Sequence, residues 1–202
     1  MTDLLPATTE GVAAAAAILA EGGLVCFPTD TVYGVGCMAE SAAARDRFYA
    51  AKARNPQRPA IVMAATQAAL EPWVEVDDVA GAIMADHWPG PLTLVLRATA
   101  VAGTTLGPLV LGGTLAVRIP AHATAMALLE AVGKPLATSS ANVSGAPASR
   151  TAPEAVAAIG ERVLAVLHGE CPLGVASSIL DLTGVRPRVI REGAIPAARL
   201  LS

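Results

Sequence analysis

The sequence predicts an α/β fold: a single domain over residues 1–202, built on a twisted mixed β-sheet with flanking helices. Three observations predict it. Short β-like runs alternate with helix-like segments along the whole chain, with no internal repeat, low-complexity tail or linker. The connections are mixed, some helical and some short, which favours a mixed sheet over a strictly parallel one. A chain of 202 residues, 53% of them hydrophobic, can bury a sizeable core.

Residues 9–21 read as the first helix, capped by Thr8 or Thr9 and ended by Gly22-Gly23. Residues 24–27 are a buried strand, broken by Pro28-Thr-Asp-Thr31, and residues 32–39 resume an extended, glycine-marked path. Ser41 caps a helix reaching about Lys52. A polar loop, 54–59, leads into a strand at 60–63. Asp77 or Asp78 starts a helix ending near His87, and residues 92–96 and 115–119 are strands. Residues 122–132 are a helix closed by Gly133, and the short strand 136–138 runs into Ser139-Ser-Ala-Asn142. Thr151-Ala-Pro-Glu154 has capping-box spacing, with Pro153 tolerated in a first helical turn. Strands at 163–167, 178–182 and 188–191 complete the list, beside five helices.

Composition narrows the function classes. Fourteen Lys+Arg against 17 Asp+Glu give a net charge of −3. With a pI near 5.6, the whole surface is not built to grip nucleic acid, although one basic cleft is allowed. Charged residues at 15% exclude a disordered polyelectrolyte, and aromatics at 3% leave few base-stacking platforms. There are 44 alanines, so much of the apolar content is small side chain. Residues 98–117 carry no charge, and twenty such residues could span a bilayer, but four glycines, Pro108 and four threonines make the run read as strand, loop, strand in a water-soluble core. The apolar run 12–20 lacks a basic leader and is bracketed by Glu10 and Glu21, so a signal peptide is rejected. Cys26, Cys37 and Cys171 form no C-x-x-C pair and share no ligand spacing with the three histidines, which argues against zinc or disulfides and for a reducing cytoplasm.

Four segments could carry chemistry. Lys52, Arg54 and Arg58 fall within seven residues between a helix and a strand. They suit either a solvated loop or a polyphosphate clamp, lysine as a point charge and arginine as a planar fork. No G-x-x-x-x-G-K-[ST] occurs, so a Walker-type site is excluded. Thr138-Ser-Ser-Ala-Asn-Val-Ser-Gly145 crowds hydrogen-bonding side chains at a strand end, as an ordinary turn or as a site for a small polar substrate and phosphate oxygens. Pro28-Thr-Asp-Thr-Val-Tyr-Gly34 begins where the first strand stops, a usual ligand position in open α/β sheets. Arg118 lies within an apolar strand and must meet an anion, either a protein carboxylate or a ligand. No catalytic triad, G-x-S-x-G or glycosidase-type carboxylate pair is evident.

Taken together, these segments resemble the YrdC-like family of L-threonylcarbamoyladenylate synthases, in its short, single-domain form. The matching blocks are Gly23-Leu-Val-Cys-Phe-Pro-Thr-Asp-Thr-Val-Tyr-Gly-Val-Gly36, Lys52-Ala-Arg54, Trp88-Pro-Gly-Pro-Leu-Thr-Leu-Val95, Ala116-Val-Arg-Ile-Pro120, Thr138 to Gly145, Ser177-Ser-Ile-Leu-Asp181 and Val189-Ile-Arg-Glu-Gly193. They stand in the family's order across a core of about 10–193. The resemblance implies a sheet around a large open cavity. It implies a nucleotidyltransferase that makes threonylcarbamoyl-AMP and pyrophosphate from L-threonine, bicarbonate or CO2, and ATP with Mg²⁺. The product would serve N6-threonylcarbamoyladenosine modification of tRNA through a downstream transferase complex, in the cytoplasm, with possible tRNA or double-stranded RNA contact and no membrane.

Carried over residue by residue, the resemblance gives Lys52, Arg54 and Arg118 the catalytic roles. Thr31, Tyr33, His122, Ser140 and Ser177 would meet threonine. Lys52, Arg54, Arg118, Asn142, Arg150 and Arg191 would meet the nucleotide, Asn142 doing so directly or through its metal, whose ligands are otherwise unassigned. Some positions depart from the family's pattern: Arg58 stands where an Asn is usual, Met63 where many members have a His, and His168-Gly-Glu170 replaces D-G-G. The long form adds a linker and second domain, for which the sequence past Arg191 has no room. Two other readings stay open: an RNA-binding module using the same basic cavity, and a carbamoyl-adenylate step of hydrogenase maturation.

Overall fold

A computed structural model describes residues 2–55 and 57–201, so Pro56 of the predicted polar loop lies outside the described residues. The helices are α1 (Thr9–Ala20), α2 (Ala42–Ala51), α3 (Asp78–His87), α4 (Ala100–Thr105), α5 (Ala123–Val132), α6 (Ala152–Ile159) and α7 (Ala197–Leu200). The strands are β1 (Asp3–Leu5), β2 (Val25–Phe27), β3 (Gly34–Met38), β4 (Ile61–Met63), β5 (Leu92–Arg97), β6 (Thr114–Arg118), β7 (Leu136–Ser140), β8 (Ala165–Leu167), β9 (Ser178–Asp181) and β10 (Arg188–Arg191).

All ten strands join one sheet in the order β1-β8-β2-β3-β7-β4-β6-β5-β9-β10. The pairs β1/β8, β2/β8, β4/β6 and β5/β9 are parallel, and β2/β3, β3/β7, β4/β7, β5/β6 and β9/β10 are antiparallel. The mixed sheet is as the sequence predicts. Nine of the ten strands fall on the segments read as strand or extended, and α4 and α7 raise the five expected helices to seven among the described residues. The tenth strand is β1, whose backbone joins the sheet edge beside β8.

The caps explain where helices begin. Side chains of Thr8, Ser41, Asp77, Thr99 and Thr151 each accept a backbone N–H of the first turn. Glu154 returns its carboxylate to the Arg150 N–H at 2.7 Å, one residue before the cap. Gly133 closes α5 at φ 67°, the left-handed conformation glycine adopts without a Cβ clash. Residues 98–117 are corrected from strand, loop, strand to α4, a 3-10 turn and β6, because Thr99 supplies a cap within the apolar run. Among the described residues, no helix is long and apolar enough to cross a membrane.

Strand alternation sorts side chains to two faces. Val25 and Phe27 pack with Val12, Ala15 and Leu19 of α1 and Leu128 and Leu129 of α5. Cys26, between them, packs with Val35, Phe48, Val62 and Leu94 on the other face. The run Ala13-Ala-Ala-Ala-Ala17 keeps α1 slim where it lies against α5. Covered on both faces, the central strands bring their ends and loops together at one open cavity.

Candidate active site

A cavity of about 580 Å³ opens among the segment between β2 and β3, the loop before β4, the end of β7, and the start of β9 beside β10. That volume suits a cofactor-sized ligand, the usual range being roughly 300–1,000 Å³. The strand register explains the convergence. Gly34 pairs with Ser140, which sets the end of β7 beside the start of β3. Met63 pairs with Arg118, which puts the ends of β4 and β6 side by side.

Arg118 is 2% exposed, and its two possible anions are now distinguished: Nη2 donates to Asp30 Oδ1 at 2.5 Å. Nη1 donates to Thr31 Oγ1 at 2.9 Å and Nε to the Gly90 carbonyl at 3.0 Å. Burial pulls the guanidinium below its usual range, and the Asp30 charge opposes that pull. Arg118 lines the cavity and meets a protein carboxylate, the first of the two anions expected for it.

Arg54, Arg58 and Arg191 differ from it. All three line the cavity, and none has a carboxylate within ion-pair distance among the described residues. Arg54 donates to the Arg58 carbonyl at 2.7 Å, the Pro59 carbonyl at 3.0 Å and Ser139 Oγ at 3.4 Å. Arg191 donates through Nε and Nη2 to the Ser177 carbonyl, at 3.0 and 2.8 Å, and through Nη2 to Ser177 Oγ at 3.2 Å. These partners are neutral, so they orient the forks without cancelling their charge. Burial lowers both pKa values; the Arg54 charge lowers that of Arg191 further, and the Arg58 charge that of Arg54.

Lys52 stands apart from these arginines. It is 1% exposed and does not line the cavity. Its ammonium donates to the Ser140 carbonyl and, at 2.6 Å, to the Asn142 carbonyl. From the end of α2 its stem passes through the interior to the loop after β7, which it holds through those two carbonyls. Burial, then Arg54, pushes its pKa down to about 8.

That loop presents Ser139, Ser140 and Asn142 to the cavity. The Asn142 amide nitrogen donates to the carbonyls of Val143 at 2.9 Å and Ala146 at 2.6 Å. Two carbonyl partners identify that end as nitrogen, so the other end is an acceptor. Its Oδ1 is buried without a partner among the described residues. It is suited to a cation or a ligand N–H or O–H.

Thr31 and Ser177 line the cavity as the sequence predicts. Ser177 Oγ lies 2.8 Å from Thr93 Oγ1. Tyr33 also borders the cavity, with its hydroxyl donating to the carbonyls of Leu167 at 3.0 Å and Gly169 at 2.8 Å. His122 and Arg150 are outside the lining. His122 sits at the start of α5 with Nε2 3.1 Å from the Glu170 carbonyl. Arg150 packs on Gly174, where a Cβ would meet its Nε at 2.4 Å and φ is +62°. Asp30, Thr29 and Thr93 lie in segments singled out by the sequence, which assigns none of them a role of its own. Thr93 carried a signal, a lone polar residue at the start of an apolar strand.

The described residues contain no cluster of three His, Cys, Asp or Glu that could hold a metal ion. They do not fit a resident metal centre. They do fit a hard cation that arrives on a polyphosphate and needs one or two protein oxygens, since Asn142 Oδ1 is such an oxygen.

Residues 17–193 match a family model, Sua5_yciO_yrdC, whose description is telomere recombination. Over 187 residues the chain is 38% identical to a threonylcarbamoyl-AMP synthase of Pyrococcus abyssi, covering 90% of this chain and 54% of that one. It is 39% identical over 192 residues to a putative threonylcarbamoyl-AMP synthase of Mycobacterium leprae, covering 94% and 86%. The fold superimposes on P. abyssi Sua5 complexed with L-threonine at a TM-score of 0.92 and 33% identity, covering 99% of this chain and 59% of that one. The chain thus spans just over half the length of its Pyrococcus relative.

Proposed function

Because the chain belongs to the Sua5/YciO/YrdC family, we propose that it is a threonylcarbamoyl-AMP synthase, a nucleotidyltransferase acting on ATP, L-threonine and bicarbonate or CO2. One observation carries the reading: three guanidinium groups without carboxylate partners among the described residues converge on a cavity also lined by Ser139, Ser140 and Asn142, whose buried Oδ1 has no partner among the described residues. Such a site calls for a polyanion beside a small, hydrogen-bonding substrate. The names of its relatives and the L-threonine bound to P. abyssi Sua5 support ATP and threonine as that pair.

The chemistry asks for no protein nucleophile. The threonine amine adds to CO2, forming an N–C bond and releasing a proton to solvent. A carbamate oxygen then attacks the α-phosphorus, and the bond to the β-phosphate oxygen breaks to release pyrophosphate. The protein aligns the reactants and meets the charge that grows on the leaving group. Arg54, Arg58 and Arg191 take the phosphate oxygens. The buried Asp30–Arg118 pair fixes the floor of the cavity and the Thr31 hydroxyl. Lys52 holds the Ser140–Asn142 backbone from behind. Mg²⁺ entering with ATP would rest on Asn142 Oδ1 and would supply charge neutralisation of the triphosphate. The mixed anhydride formed is labile in water and suits direct transfer to the enzyme that modifies tRNA adenosine.

The test is pyrophosphate release with each reactant omitted in turn. Release that needs ATP, threonine and bicarbonate together supports the reading. Release without threonine, or none in the complete mixture, rejects it. Salt-sensitive RNA binding in its place would mark a binding module.

A further inference from the structure

We propose that Thr29 is a positioning residue that makes Thr31 a hydrogen-bond acceptor only, and that this polarity selects amino acids bearing a β-hydroxyl. The inference rests on the synthase reading and deepens it.

The argument is a count of protons. Each threonine hydroxyl has one proton to give and two acceptor positions. Thr29 Oγ1 lies 2.7 Å from the Val32 carbonyl, which can only accept, so the Thr29 proton is committed there. Thr29 Oγ1 also receives the Thr31 N–H at 3.2 Å and lies 2.9 Å from Thr31 Oγ1. With Thr29's proton spent, the proton between the two hydroxyls belongs to Thr31. On its far side Thr31 Oγ1 accepts Arg118 Nη1 at 2.9 Å. Arg118 cannot turn, because Gly90 and Asp30 hold Nε and Nη2.

The chain of donors therefore runs one way, from Arg118 through Thr31 and Thr29 to the Val32 carbonyl. Both threonines are 1% exposed, so water does not offer an alternative partner at little cost. Thr31 keeps one free lone pair and no proton, at the wall of the cavity. Asp30, the preceding residue, lies outside the lining and keeps a second buried acceptor, Oδ2, without a partner among the described residues. A substrate carboxylate is unwelcome beside these oxygens. The amine carries the carbamate that must reach the α-phosphorus, so it faces the nucleotide. The group left to donate to Thr31 is the side-chain hydroxyl. Without Thr29's oxygen, the Thr31 proton loses its acceptor and turns toward the ligand, and the preference for a donor lapses.

The experiment compares kcat/KM for L-threonine with that for L-2-aminobutyrate, which lacks the hydroxyl, by pyrophosphate release from ATP and bicarbonate. Wild type is expected to favour threonine by about 10²-fold or more, as sites built around a substrate hydroxyl do. Thr29→Val is expected to lower that ratio about tenfold, the worth of one hydrogen bond, through KM for threonine with kcat near wild type. Thr29→Ser is expected to restore it, which a merely structural role for Thr29 would not require. An unchanged ratio in a folded Thr29→Val variant, or a Thr29→Ser variant as impaired as Thr29→Val, overturns the inference while leaving the synthase reading intact. A wild-type ratio near one overturns it without any variant. No threonine-dependent turnover in wild type removes the synthase reading and this inference with it.

Discussion

Removing the Arg118 side chain isolates the energetic centre of the site. In Arg118→Ala the Asp30 carboxylate keeps its burial and loses its counter-ion. The side chains of the pair are 2% and 6% exposed, so solvent does not screen the loss. Breaking a buried pair from one side costs about 3–5 kcal/mol, because the remaining charge stays uncompensated. Two further donor contacts, to Thr31 Oγ1 and the Gly90 carbonyl, vanish with it. With a urea m-value of about 3 kcal/mol per molar for a domain of this size, the unfolding midpoint should fall by more than about 1 M. The double variant Arg118→Met with Asp30→Leu, which replaces both charges by apolar side chains, should recover most of that loss. A midpoint for Arg118→Ala within about 0.3 M of wild type, or a double variant as unstable as the single one, would refute the pairing as the reason a charge sits in this strand.

Three other predictions follow from the same geometry. Arg54→Ala and Arg191→Ala should each slow pyrophosphate release about 10²-fold or more at near-native melting temperature, since their present partners are neutral groups at the cavity wall; equal rates would dissociate the cations from catalysis. With its pKa depressed to about 8, Lys52 is charged below that pH and neutral above it, so turnover should fall on the alkaline side of pH 8 as the loop after β7 is released; in Lys52→Met a pH–rate profile that kept the same alkaline limb would contradict this. Burial pushes the thiols of Cys26 and Cys37 up to about 12 and that of Cys171 up to about 11. All three should resist a thiol reagent at pH 8 and react in denaturant. Because the folded thiols keep their protons above the unfolded value near 9, their contribution to stability is full below pH 9 and lost as pH rises toward 11–12.

Local signals in the sequence located most element boundaries. Thr8, Ser41, Asp77, Thr151 and Gly133 each act through atoms within a few residues, so a cap or a left-handed turn can be read without tertiary information. The helix at 100–105 was hidden because alanine, glycine and threonine are compatible with either state, and only the Thr99 cap distinguishes them. The site was legible to the level of segments: Thr31, Arg54, Arg118, Ser140, Asn142, Ser177 and Arg191 share one cavity, from stretches far apart in the chain. What each side chain does there was not legible. Charge alone does not say whether a lysine meets a ligand or a carbonyl, and Lys52 meets two carbonyls of its own chain. Tyr33 shows the same limit, since its hydroxyl is spent on Leu167 and Gly169. His122 and Arg150 follow matching blocks in sequence, yet neither lines the cavity: His122 sits beside the Glu170 carbonyl and Arg150 packs on Gly174.

The central claim is that Arg54, Arg58 and Arg191 form an uncompensated cationic wall for a polyphosphate. Calorimetric titration of the protein with ATP and with AMP, both in Mg²⁺, tests it most directly. The account predicts that ATP binds at least about tenfold more tightly than AMP, and that Arg54→Ala abolishes most of that difference. Equal affinities for the two nucleotides in the wild-type protein would contradict it.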